Sequence, residues 1–191
     1  LYKTPLAVNG RTVLRAALFY NGAQLGPVTE FVTPAAANIA PEAIEATASD
    51  YYNNITTYDG RKAVDGNSGT RWATSDNTTA ATLDLVLAAP VTISSAKISQ
   101  YYASNKNYIT RFAVEYWADE EWKTAYNWDG GGSHLAASFE MDFDAVTSDK
   151  IRLNLAQASN PSIWEFELYS TPARHELDTA ALEAAFSTVQ P

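Results

Sequence analysis

The chain has 191 residues, 46% apolar and 12% aromatic, with a net charge of −9 and a pI near 4.6. Such a composition can build a core and excludes a disordered chain, while the acidity excludes nucleic acid and anionic membrane as partners, since both need a basic patch. There is no cysteine, hence no disulfide framework or thiolate chemistry, and every apolar run is too short to span a bilayer as a helix.

The chain begins at Leu1 without a basic leader and reads as an internal fragment. Residues 1–34 predict a β-hairpin: Thr12 to Tyr20 alternates, Asn21-Gly22 is a type I′ turn signal, and Val28 to Val32 returns. Such a piece is too small for a core of its own, so it is expected to close a truncated upstream β-sandwich. Residues 35–41 read as a linker rich in alanine and proline. The main domain is expected over 38–171, with strands at Thr82–Leu87, Val91–Tyr101, Phe112–Trp117, Phe139–Phe143, Ile151–Leu155 and Ile163–Tyr169. Leu83, Leu85 and Leu87 face one way with Asp84 opposite; Trp164, Phe166 and Leu168 face one way with Glu165 and Glu167 opposite. Many short strands without interleaved helices predict an all-β antiparallel sandwich. Residues 172–191 are expected to be a linker and the start of a helical module. Leu182, Ala185, Phe186 and Val189 have the spacing of a helical stripe, with Asp178 as the expected N-cap.

The most distinctive stretch is Lys62 to Trp72. Asp65, Asn67 and Thr70 place oxygen donors around Gly66 and Gly69, a pattern suited to a hard cation such as Ca²⁺. It is not an EF-hand, because the glycine is misplaced and no helices flank it. An ordinary glycine-rich turn would use the same residues.

Four pieces in order carry a resemblance: Ala63–Trp72, Phe112–Tyr116 followed by Glu121-Trp122, Ile151–Leu153, and Ile163–Tyr169. Together they resemble the discoidin-like, or coagulation factor type C, domains, whose bacterial branch is the family 32 carbohydrate-binding modules. The resemblance covers residues 38–171. It implies a jelly-roll sandwich with a structural Ca²⁺ held by the Lys62 carbonyl, Asp65, Asn67, Thr70, Glu165 and a carbonyl near Trp164. It further implies a non-catalytic module, covalently linked to the catalytic and other modules of a secreted or surface-attached bacterial glycoside hydrolase, that binds glycan. The alternative is a structural or protein-adhesive spacer.

A sugar site needs aromatic faces on loops with a few polar groups around them. The candidates are Tyr51 to Asn54 with Tyr58, then Asp76 and Asn77, then the run from Tyr101 to Tyr108, then Trp128 to His134. From these the expected ligand residues are Tyr52, Asp76, Tyr101, Tyr102, Asn105, Asn107 and Trp128. Trp128 heads a glycine run and is the preferred exposed platform, whereas Trp72, Trp117 and Trp122 are assigned to core packing. The galactose-binding relatives carry a histidine after the motif tryptophan, where this chain has Ala73. His134 and His175 share no metal-ligand spacing and are read as surface residues. Catalysis is not expected, because Asp119, Glu120 and Glu121 form a solvated turn, Glu165 and Glu167 lie on one strand, and no nucleophile or phosphate motif is present. Insertion into membrane is not expected either, since the loops are tyrosine-rich and the chain acidic.

Overall fold

In the computed structural model, residues 13–32, 37–102 and 106–170 are described. Two compact units emerge, one of Leu1–Ala35 with Pro172–Pro191 and one of Ala36–Thr171. In the first, β1 (Val13–Tyr20) and β2 (Ala23–Val32) pair antiparallel around Asn21-Gly22. Both turn residues have positive φ, 49° and 81°, as a type I′ turn requires. The expected C-terminal helix lies outside the described residues.

The second unit contains β3 (Glu45–Ala48), β4 (Trp72–Ala73), β5 (Ala81–Gln100), β6 (Tyr108–Ala118), β7 (Glu121–Asp129), β8 (Ser138–Ser159) and β9 (Ser162–Ser170). All their pairings are antiparallel. The two long strands belong to both layers of the sandwich. Residues 81–86 of β5 lie between β3 and the second half of β8, which β6 and β7 extend. Residues 93–100 of β5 lie between β9 and the first half of β8, with β4 beyond β9. The strands change layer at a register shift, where Val86 pairs with Lys150 and Val91 with Ser148. Pro90, which has no amide to give to a ladder, falls inside that shift.

Four predicted strands are therefore halves of two. Thr82–Leu87 joins Val91–Tyr101, and Phe139–Phe143 joins Ile151–Leu155, because local pattern marks a bulge as a strand end. Leu83, Leu85 and Leu87 are buried as expected, alongside Trp72, Phe112, Ile151, Leu153, Phe166 and Leu168. Asp84 points outward into a two-pronged contact with the Arg152 guanidinium, at 2.7 Å for each hydrogen bond.

Trp117 and Trp122 correct the core assignment. They flank a tight turn at Asp119-Glu120, whose φ values are 53° and 62°, and pair across β6 and β7. Both are half-exposed, in edge contact at 5.3 Å, with Arg152 over Trp122 at 4.2 Å and Lys150 over Trp117 at 5.6 Å. Aromatic rings on an outward row suit cationic neighbours better than a second core.

Candidate functional site

The segment after the short helical turn Gly60–Ala63 folds around Asp65. The Asp65 carboxylate accepts from the Asn67 amide at 3.0 Å and from the Thr70 hydroxyl at 2.9 and 2.8 Å, and Lys62 Nζ lies 3.4 Å away. Asn67 Oδ1 accepts from the Gly69 amide at 3.0 Å. Gly66 adopts φ 73°, which a residue with Cβ avoids.

Against this loop lies Glu165. On β5, Ser99 pairs with Glu165 and Gln100 with Ile163, so Trp164 is an extra residue, a β-bulge. The bulge breaks the expected facing of Trp164 with Phe166 and Leu168. Trp164 is half-buried and meets Tyr101 edge-on at 5.8 Å, while Glu165 turns inward and is only 5% exposed. No donor reaches either oxygen of Glu165 in full hydrogen-bond geometry, although the Gly66 and Asn67 amides face it and favour its charged form in part. Burial, then the nearby Asp65 charge, pushes its carboxyl up to about 7. Two carboxylates facing each other, one of them buried, fit a hard divalent cation. The remaining ligands would be neutral oxygens of Lys62, Asn67, Thr70 and Trp164. Among the described residues no group of three or more histidine, cysteine, aspartate or glutamate side chains converges. Such a site thus depends on backbone and hydroxyl oxygens, which calcium accepts.

Beside this loop the aromatic residues gather. The Arg71 guanidinium lies 4.7 Å from the Tyr101 ring, 5.2 Å from Trp164 and 5.3 Å from Tyr58; Tyr58 meets Tyr52 edge-on at 5.9 Å. Arg71 Nε is buried without a hydrogen-bond partner, and no acid among the described residues lies within ion-pair distance of this arginine. Tyr101 and Tyr102 are 37% and 44% exposed. The Tyr101 backbone is pinned: its amide donates to the Ser162 carbonyl at 2.8 Å. Neighbouring loops are tied in by Asp50, which accepts from Ser75 and Thr78, and by Asn160, which accepts from the Asn77 amide and the Asn107 side chain.

Of the expected ligand residues, the structure brings Tyr52 and Tyr101 to one cluster, with Tyr102 next in the chain. Asp76 is exposed on the adjoining loop. Asn107 spends its amide on the Asn160 carbonyl at 2.7 Å. Asn105 lies outside the described residues.

Trp128 is a correction. It belongs to β7 and not to a loop, is half-buried, and stacks on Phe112 at 5.8 Å with Phe139 at 5.9 Å. The glycine run permits this. A Cβ on Gly130 would fall 2.5 Å from Trp128 Cη2, so Gly130 lets the ring fold down. Arg71 was invisible as a site residue because it sits inside a motif whose neighbours explain it. His134 is exposed, as expected of a surface residue, and its ring stacks on Tyr108 at 4.0 Å and 6°.

These features define a discoidin-like β-sandwich. The F5/8 type C domain model matches residues 45–167, so the chain belongs to that family. No curated protein matches the chain. Among solved structures, a mutant of chitosan-binding module 1 from a chitosanase/glucanase of Paenibacillus sp. IK-5 is 25% identical. It has a TM-score of 0.60 and covers 71% of this chain and 99% of its own. Chitosan-binding module 2 of the same enzyme, solved with chitotriose, is 26% identical at a TM-score of 0.58, covering 70% of this chain and 100% of its own. The family 32 carbohydrate-binding module of C. perfringens NanJ, solved with galactose, shares the fold at 20% identity and a TM-score of 0.57, covering 71% of this chain and 98% of its own.

Proposed function

We propose that the chain is a non-catalytic carbohydrate-binding module, calcium-stabilised, that keeps an attached secreted glycoside hydrolase on its glycan substrate. The observation that carries the reading is the exposed tyrosine pair Tyr101-Tyr102 beside an arginine with no acidic partner among the described residues, with the Tyr101 backbone pinned at one end of the sandwich. Tyrosine faces take the C–H side of a sugar ring, and arginine N–H groups take its oxygens. Relatives at about this distance bind chitotriose and galactose. Attachment to an enzyme raises affinity through effective concentration, so a modest single site suffices.

The calcium half of the reading rests on the buried Glu165 carboxylate opposite Asp65. When bound, the ion would neutralise both carboxylates and tie the loop to β9.

Glycan-array screening followed by isothermal titration tests the sugar half. Tyr101→Ala is expected to weaken binding by about tenfold or more with little change in melting temperature. Silence on every glycan would leave the spacer reading. For the ion, chelation is expected to lower the melting temperature by roughly 5–10 °C from a hundredfold calcium excess over Kd. Asp65→Ala is expected to remove that shift, and a chelation-insensitive melting temperature in the unaltered chain would refute the calcium site.

A further inference from the structure

Tyr102, Tyr108 and His134 form a second aromatic group that the Arg71 cluster does not include. The His134 ring lies flat on Tyr108 at 4.0 Å, and Tyr102 meets it edge-on at 6.2 Å with its hydroxyl 3.4 Å from Nδ1. The group has no core role, because Tyr102 and His134 are exposed. It is nevertheless built rigidly. Leu135, the next residue, is 1% exposed; its amide donates to the Ile109 carbonyl at 2.7 Å, and its carbonyl accepts from Gln100 Nε2 at 2.6 Å. The Gly130 amide donates to Thr110, and Ser133 closes back on Gly130. Gly131 and Gly132, with φ 57° and 92°, make the turn that delivers His134 to Tyr108.

Exposed aromatic side chains held on a fixed backbone contribute little to folding, and they are what a preorganised recognition surface needs. Tyr101 and Tyr102 are consecutive, so the two aromatic groups adjoin along the chain. Their chemistry differs. The first offers a cation among rings. The second offers flat faces edged by an imidazole and two phenol groups, which can donate to or accept from neutral hydroxyls.

We infer that Tyr102, Tyr108 and His134 form a second sugar subsite, so that the module takes an oligosaccharide spanning both groups in preference to a terminal monosaccharide. The inference rests on the carbohydrate-binding reading above. In it Tyr101 with Arg71 holds one ring, and Tyr102 with His134 holds the next. His134 is a specificity-determining residue whose ring nitrogens meet hydroxyls of the second unit.

The test is isothermal titration of the 191-residue chain with two ladders, glucosamine to chitotriose and galactose to N-acetylgalactosaminyl-β-1,3-galactose. Expected is a gain of about tenfold or more from the monosaccharide to the longer ligand in at least one ladder. His134→Ala should erase that gain while leaving monosaccharide affinity and melting temperature unchanged, and His134→Gln should restore part of it. Equal affinities along a ladder that binds, or an unchanged gain in the variants, would overturn the second subsite and leave sugar binding standing. Binding of neither ladder, with a glycan array also silent, would overturn both readings.

Discussion

Glu165 is a carboxylate that the fold buries with only the Gly66 and Asn67 amides turned toward it, so its charge is costly unless a cation arrives. Its carboxyl is raised to about 7, from an ordinary value of 4.5, first by burial and then by Asp65. The sign follows directly. A group whose folded-state value is raised contributes stability in full below the unfolded value, and loses it as pH rises through the folded one. In chelator-treated protein the melting temperature should therefore fall between pH 4.5 and 7, and Glu165→Gln should flatten the slope; scanning fluorimetry across that range reads both. Trp128 gives the second residue-scale prediction. Because it stacks on Phe112 and Phe139, Trp128→Ala should cost about 2–3 kcal/mol of stability. Glycan affinity should be unchanged, the reverse of what an exposed platform would show, and chemical denaturation beside titration separates the two.

At the scale of elements, legibility followed the alternation of apolar residues. Leu83, Leu85 and Leu87 declared their strand and its inner face, and Asn21-Gly22 declared its turn. What escaped were features set by partners distant in sequence. The bulge at Trp164 exists only because Gln100 and Ser99 pair around it. Strand β7 stayed hidden because its half-buried residues, from Trp122 to Trp128, alternate weakly. The oxygen donors and glycines of Lys62–Trp72 stand out in the sequence, but the burial of Glu165 beside them does not, since a charged residue on an alternating strand reads as solvent-facing. Gly60, just before that loop, shows the same dependence on packing. A Cβ there would lie 2.7 Å from Leu83 Cδ1 and 3.0 Å from the Ala48 amide nitrogen. Gly60→Ala should accordingly destabilise the domain by about 1–3 kcal/mol, measurable by denaturant titration, although its backbone angles are ordinary.

For the unit Ala36–Thr171 as a whole, the long strands matter most. Since β5 and β8 each run through both layers, neither layer can detach without unpairing the other, and unfolding of this unit should be a single transition. Calorimetric and van't Hoff enthalpies are expected to agree for the isolated span 36–171; a resolved shoulder would show layers that melt separately.

The place where this unit is tethered has a mechanical meaning. Asn38 bridges to Tyr169, and the Ile39 amide donates to the Leu168 carbonyl at 2.8 Å, so the chain enters and leaves side by side. The tyrosine loops gather at the other end of β9, where Tyr101 meets Ser162, roughly 25–30 Å away for a nine-residue strand. On the proposed reading, the sugar-holding end and the end where the chain enters and leaves are opposite ends of one strand. If a sugar is held at the one end and a further module pulls at the other, the force runs along β9 and loads the Asn38–Tyr169 bridge and the Ile39–Leu168 hydrogen bond together in shear.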